Sequence, residues 1–175
     1  MKAKIKKIEL NNFRGFKGQK TIDLEGAEFV ILHGLNGFGK TSVFDAIEWG
    51  LTGQLGRYHR YLEKGFKANF SKEKEVLRNK YATPEETYVK IHLDNDDIFG
   101  RKIPINKKVQ DYSEGVSIPG TKFNLNDLTN KDIGLVNPNE YFSSTHLLSQ
   151  EQINSFITTK KPEERYQAIS INFGT

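Results

Sequence analysis

The sequence contains no cysteine, which excludes disulfide bonds and thiolate metal sites and is typical of a cytoplasmic protein. Its four histidines are scattered and form no helical pair of the HxxxH kind, so nothing indicates a zinc site. No apolar run approaches the length of about 18 residues that a bilayer-spanning helix needs, so we expect no membrane partner. The basic N-terminus lacks a following apolar stretch, and we therefore expect no secretory signal peptide.

The chain has 175 residues, of which 36% are hydrophobic and 27% charged, a composition typical of one folded domain with polar loops. Its formal net charge is +4, and the basic residues are concentrated in residues 57–80. That segment carries eight basic and three acidic residues, so the rest of the chain is close to neutral. Basicity confined to one segment predicts a surface that faces a polyanion.

The pattern of apolar residues predicts a mixture of strands and one clear helix. Residues 4–13 and 19–24 alternate, which predicts a hairpin across the turn RGFKG. Residues 28–34, EFVILHG, form a nearly continuous apolar run, which is typical of a buried central strand. A helical period follows over residues 40–51, and residues 87–93 alternate as a half-exposed strand that begins an antiparallel meander.

The most specific signal is GLNGFGKT, which fits the pattern G-x-x-x-x-G-K-[ST] between an apolar run and a helix. Glycines in such a turn let successive backbone N–H groups point at an anion. Lys40 supplies positive charge to the β- and γ-phosphates, and the Thr41 hydroxyl is placed to ligate Mg²⁺. The sequence therefore predicts a nucleotide site whose candidate residues are Gly34, Asn36, Gly37, Gly39, Lys40, Thr41 and Ser42.

Two of these residues have a plain structural alternative. Asn36 is expected to contact a phosphate or a partner's nucleotide, and an asparagine that tolerates a left-handed turn would look identical. Ser42 is expected to form a bond at the helix start or to the α-phosphate rather than a catalytic contact.

A GTPase is a minor alternative, because two short motifs resemble guanine-nucleotide signatures. Asp97-x-x-Gly100 imitates a magnesium motif, but the preceding strand alternates, whereas a parallel core strand is apolar throughout. Asn130-Lys131 is followed directly by an aspartate, so the spacing N-K-x-D is not met. We interpret both as coincidences in loops.

A strand ending in NNFR, the loop NGFGKTS and a helix containing DAI occur together in residues 4–53. This combination resembles the N-terminal ATPase half of SMC-like proteins, the SMC, SbcC and RecF group of the ABC-type ATPases. The resemblance implies ATP and Mg²⁺ as cofactors. It also implies an α/β fold with a mixed sheet around the P-loop helix, an antiparallel β subdomain, and a C-terminal helix that leads toward a coiled coil.

The resemblance also assigns roles outside the phosphate loop. LLSQEQINSFI resembles the Q-loop of this family, which implies that Gln150 completes the Mg²⁺ shell and senses the γ-phosphate; a surface glutamine is the alternative. Glu151 stands where the family more often has glycine. Arg14, at the N-F-R position, is implied to approach the phosphates, and a plain turn arginine is the alternative.

The resemblance implies that residues 1–175 form a single N-terminal lobe. Residues 1–53 are the hairpin, loop and first helix, residues 54–140 a variable basic insertion with a β and loop region, and residues 141–175 the Q-loop and following helix. The sequence contains no LSGG-like loop and no apolar strand ending in Asp-Glu. We therefore expect the signature motif and the Walker B pair to lie in another segment, and this chain alone to hydrolyse almost no ATP.

The partners implied are a second head, which encloses ATP in a homodimer of the full-length protein, and DNA. The DNA would be engaged in repair, chromosome maintenance or defence against foreign DNA. The candidate DNA contacts, in a basic segment interleaved with aromatic residues, are Lys64, Lys67, Lys72 and Lys74. A solvated insertion is the alternative for that segment.

Two further functions stay open at this point. One is a non-hydrolysing, nucleotide-gated module that recruits an effector such as a nuclease. The other is a transporter ATPase subunit, which the NNFRGF start makes a weaker candidate.

Overall fold

The structure, a computed structural model, describes residues 3–56, 77–82, 86–105 and 115–125, together with four isolated residues, Phe142, Leu147, Pro162 and Glu163. Within these ranges the elements are β1 (Ile5–Asn11), β2 (Gln19–Asp23), α1 (Lys40–Thr52), β3 (Thr87–Leu93), β4 (Ile98–Ile103) and β5 (Val116–Ser117).

The five strands form one antiparallel sheet in the order β2-β1-β3-β4-β5. The hairpin of β1 and β2 places Ile8 opposite Ile22, and β1 also pairs with β3, where Ile8 lies opposite Ile91. In the next pair, Ile91 of β3 lies opposite Phe99 of β4. Because directly paired residues lie on the same face, one side of the sheet is apolar across its central strands.

Helix α1 packs on this apolar face and completes the core. Its buried side includes Ala46 and Trp49, which meet Val89 and the isoleucines of the sheet in one hydrophobic cluster. Trp49 is fully buried and stacks on Phe13 with ring centroids 5.6 Å apart. Burying an aromatic side chain of this size contributes about 3 kcal/mol, so this contact is a principal anchor of the helix.

The opposite face of the sheet is polar, and its charges are paired. Glu9 on β1 accepts from Lys7 Nζ at 2.6 Å, and His92 Nε2 of β3 lies 3.3 Å from the same carboxylate oxygen. Burial alone would raise the pKa of Glu9, but the Lys7 hydrogen bond and the nearby positive charges outweigh it and lower that pKa. Burial is the largest cause of the lowered pKa of His92. This face therefore carries no large unbalanced charge.

The C-terminal end of α1 is closed by Gly53, whose φ of 74° lies in the left-handed region and whose N–H donates to Trp49 O at 2.8 Å. Arg101 of β4 is almost fully buried beside this cap. Its guanidinium stacks on the Phe123 ring at 3.9 Å. A Cβ added at Gly53 would stand 2.7 Å from the guanidinium carbon, so the cap and the arginine are in close contact.

The hairpin, the helix and the strand over residues 87–93 are confirmed, with bounds that differ by no more than a few residues from those predicted. The α/β class, with an antiparallel β unit beside the helix, is also confirmed. All pairings within the described residues are antiparallel, and no described helix is long and apolar enough to cross a membrane. Most of the predicted Q-loop and C-terminal helix lies outside the described residues.

The prediction of a buried central strand over residues 28–34 is wrong in this structure. The segment forms no strand, and its side chains are exposed, with Phe29 at 83% and Ile31 at 75% of full exposure. A strand buried on both faces needs a neighbour along its edge and a layer on each side. Here β1 is flanked by β2 and β3, and no described strand pairs with this segment.

Gly53→Ala is expected to lower the free energy of unfolding by about 2 kcal/mol, measured by urea denaturation. A left-handed conformation costs a residue with a Cβ about 1 kcal/mol or more, and the new methyl group also meets Arg101. The matched control is Gly120→Ala, where φ is 77° and the added Cβ meets no atom within 4 Å. An equal loss of unfolding free energy in the two variants would show that contact with Arg101 adds nothing to the cost at Gly53.

Candidate functional site

The phosphate-loop motif lies between the exposed segment 29–33 and the start of α1. Gly37 and Gly39 have φ angles of 87° and 92°, a conformation that strains other residue types. The N–H of Phe38 donates to Leu35 O at 3.3 Å and closes a short turn. Both glycines are therefore required by the path of the chain, and the turn presents its backbone at the surface.

The first turn of α1 is open to an anion. Gly39 is the N-cap and offers no side-chain cap, and the first turn contains no acidic residue. The first N–H groups of a helix have no partner within the helix, and the helix dipole places partial positive charge there. Such a helix start is suited to a phosphate group.

Lys40 lies over the loop that precedes it. Its Nζ donates to Gly34 O at 2.6 Å and to Leu35 O at 2.9 Å, so the ammonium group joins the two ends of the turn. Thr41 follows at an exposed position. The charge of Lys40 thus lies against the start of the turn, while Asn36 and Thr41 are both exposed.

Ser42 is buried and faces the β1–β2 hairpin. Its Oγ accepts a hydrogen bond from Gly15 N at 3.1 Å. A Cβ added at Gly15 would lie 3.0 Å from that oxygen and 3.4 Å from Gly39 Cα. The sequence predicted a bond of Ser42 at the helix start, but nothing in the sequence indicated that Gly15 would be its partner.

Arg14 lies in the same turn and forms an ion pair with the helix. Its Nε is 2.6 Å from Asp45 Oδ2, and the Asp45 side chain is fully buried while that of Arg14 is 16% exposed. Removing a carboxylate from water is costly, so Asp45 depends on this cation. The interpretation of Arg14 as a phosphate contact stays a prediction, and the structure adds a partner that the sequence did not indicate.

The remaining candidate residues are not all described. Gln150 and the four lysines of the basic segment lie outside the described residues. Within the ranges that the structure covers, no group of three or more histidine, aspartate or glutamate side chains could hold a metal ion. Asp97, from the GTPase-like motif, lies at the β3–β4 turn and pairs with Lys122 at 2.7 Å.

A family model described as an AAA domain, AAA_23, matches residues 7–172, which is nearly the whole chain. The chain belongs to the AAA_23 family. A curated relative, the probable DNA double-strand break repair Rad50 ATPase of Aquifex aeolicus (strain VF5), is 38% identical over 52 residues. That match covers 30% of this AAA domain and 5% of the relative.

These two findings confirm the resemblance to SMC- and Rad50-like P-loop ATPase heads. Membership of an ATPase family accounts for the phosphate loop at the start of α1. Family membership does not explain why the hairpin turn contacts the start of α1. Those contacts are made by Arg14 and Gly15 of this AAA_23 chain.

Ser42→Ala in this AAA_23 domain is expected to lower the free energy of unfolding by about 1 kcal/mol in urea titrations. The variant leaves the N–H of Gly15 without its acceptor. Ser117→Ala is the control, because Ser117 is exposed and its hydroxyl donates to the neighbouring Ile118 O. We expect the control to change stability by less than about 0.5 kcal/mol. A neutral Ser42→Ala would show that this bond does not stabilise the fold.

Proposed function

We propose that this chain is the ATP-binding N-terminal lobe of an SMC/Rad50-like ATPase head that acts on DNA. The observation that carries the proposal is the geometry around Lys40. An uncapped helix start, two glycines with positive φ and one lysine converge on a single turn. Backbone N–H groups, a helix dipole and an ammonium group together favour a polyphosphate over other small ligands.

Each of the site residues has a separate role in binding the nucleotide. Backbone N–H groups from Gly37 to Thr41 surround the phosphates, and the Lys40 ammonium group exchanges its two loop carbonyls for phosphate oxygens. The Thr41 hydroxyl and Gln150 would hold Mg²⁺, which would neutralise charge on the phosphates. Asn36, which is exposed, faces either a phosphate or the nucleotide of a partner head.

The exposed apolar segment 29–35 supports the view that this lobe is part of a larger unit. Phe29, Ile31 and Leu35 are each at least 74% exposed on a stretch that leads directly into the phosphate loop. Exposed apolar runs of this kind mark surfaces that another element covers. We propose that another part of the full-length protein packs on this segment, and that residues 1–175 are the N-terminal lobe of the head.

We propose that only the full-length protein carries out the complete cycle of ATP binding and hydrolysis. The sequence of this chain contains neither an LSGG-like loop nor an apolar strand ending in Asp-Glu. We propose that a second head supplies the signature loop across the nucleotide, and that ATP drives the engagement of the two heads. Hydrolysis then requires the Walker B pair from the remaining part of each head.

Lys40→Ala in the full-length protein is expected to weaken ATP–Mg²⁺ binding by about 100-fold, measured by calorimetry, because it removes a charge-assisted contact. Lys20→Ala is the matched control, since Lys20 is exposed on β2 and lies outside the loop. Unchanged affinity in Lys40→Ala would refute nucleotide binding at this loop.

Contact with DNA is proposed for the basic segment, through Lys64, Lys67, Lys72 and Lys74. Reversing these four lysines to glutamate is expected to weaken DNA binding by the full-length protein. The slope of log K against log salt should fall by about one for each lysine that contacts a phosphate. Reversal of Lys4 and Lys20, both exposed, is the control. An unchanged salt slope in the fourfold variant would exclude this segment from the DNA interface.

A nucleotide-gated module that recruits an effector is the second candidate function. The sequence of the full-length protein that follows this chain distinguishes the two functions, because a Walker B Asp-Glu pair there favours the ATPase and its absence favours the module. The two functions differ in multiple-turnover release of phosphate by the full-length protein, which the ATPase requires and the module does not.

A further inference from the structure

The turn between β1 and β2 has a strained backbone. Asn12 and Arg14 both have positive φ, at 50° and 49°, although neither is glycine. Each such residue costs free energy and persists only where its surroundings hold it in place. Strain of this kind clusters at sites that must keep one geometry.

The segment of residues 77–82 holds this turn, and Asn79 makes the decisive contacts. The Asn79 N–H donates to Asn12 O at 2.7 Å, and its Nδ2 donates to Arg14 O at 2.6 Å. Asn79 thus satisfies the carbonyl groups of both strained residues, that of Asn12 through its backbone N–H and that of Arg14 through its side chain. Asn79 is 6% exposed, and its Oδ1 accepts from Tyr81 N at 2.9 Å, which fixes the orientation of the amide.

The same turn contacts the phosphate loop and the first two turns of α1 at three points. Arg14 pairs with Asp45, and Gly15 N donates to Ser42 Oγ. The Phe16 ring packs on Gly39 so closely that a Cβ there would stand 2.9 Å from its Cζ atom. A shift of the turn would therefore move the last glycine of the loop and the helix start together.

We propose that Asn79 is a positioning residue for the nucleotide site, acting through the β1–β2 turn. It fixes the two strained residues, the turn fixes the start of α1, and the helix start fixes the donors that bind phosphate. This inference rests on the proposed function, because its readout is nucleotide affinity. Asn79 lies far from the loop in sequence, and no motif includes it.

The test compares Asn79→Ala with Arg78→Ala in the full-length protein, with ATP–Mg²⁺ as the ligand. Arg78 belongs to the same segment, but its Nη1 and Nη2 atoms donate to Ile105 O and Pro104 O. Asn79→Ala keeps the backbone bond to Asn12 O but removes the Nδ2 donor from Arg14 O. It is therefore expected to raise the Kd for ATP by about tenfold. Arg78→Ala is expected to change that Kd by less than about twofold while also lowering stability. Equal effects of both variants, or none, would overturn the proposal.

A second variant decides the matter if Asn79→Ala does not fold. Gly15 is exposed and has no positive φ, so Gly15→Ala adds no backbone strain but presses its Cβ on Ser42 Oγ. Weaker ATP binding by folded Gly15→Ala supports positioning by the turn, and unchanged affinity overturns it. Lys40→Ala distinguishes failure of this inference from failure of the proposed function. If Lys40→Ala leaves ATP binding intact, the proposed function itself fails.

Discussion

The packing of α1 against a single apolar face of the sheet is the constraint on which the rest of the molecule depends. Trp49 and Ala46 meet β3 and β4, and a Cβ added at Gly50 would stand 2.7 Å from Ile91 Cδ1. Because the helix approaches the strands so closely, its axis has little freedom to slide. The phosphate loop is joined directly to this helix, so the sheet determines where the loop stands.

The N-terminal half of α1 is also held by the β1–β2 turn, through an ion pair and a strained backbone. The Arg14–Asp45 pair buries a carboxylate that would be costly without its cation, so the pair holds the turn against the helix. Asn79 adds directional hydrogen bonds on the far side of the turn. The apolar packing of α1 and the polar contacts of the turn therefore both fix the position of the loop, and Phe13, which lies in that turn and stacks on Trp49, joins them.

The sequence predicted the β1–β2 hairpin, α1 and β3 well, because the apolar patterns of strands and helices depend on residues close together in the chain. The helix was predicted over residues 40–51 and ends at Thr52, followed by the glycine cap. Residues 28–34 were mispredicted because an apolar run indicates burial without saying which partner covers it. In the site, the motif predicted Lys40 and Thr41, whereas the roles of Asp45 and Asn79 depend on tertiary contacts that no spacing encodes.

The topology of the sheet has a consequence for how this chain tolerates change. Strand β1 pairs Ile5 with Leu93 and Asn11 with Tyr88, so the phosphate loop, α1 and the basic segment all form one long excursion between two neighbouring strands. The entropy of closing such a loop grows only with the logarithm of its length, and doubling it would cost about 0.6 kcal/mol. Loop closure alone therefore sets only a weak limit on how many residues can lie between Asn11 and Thr87 while β1 and β3 keep their register.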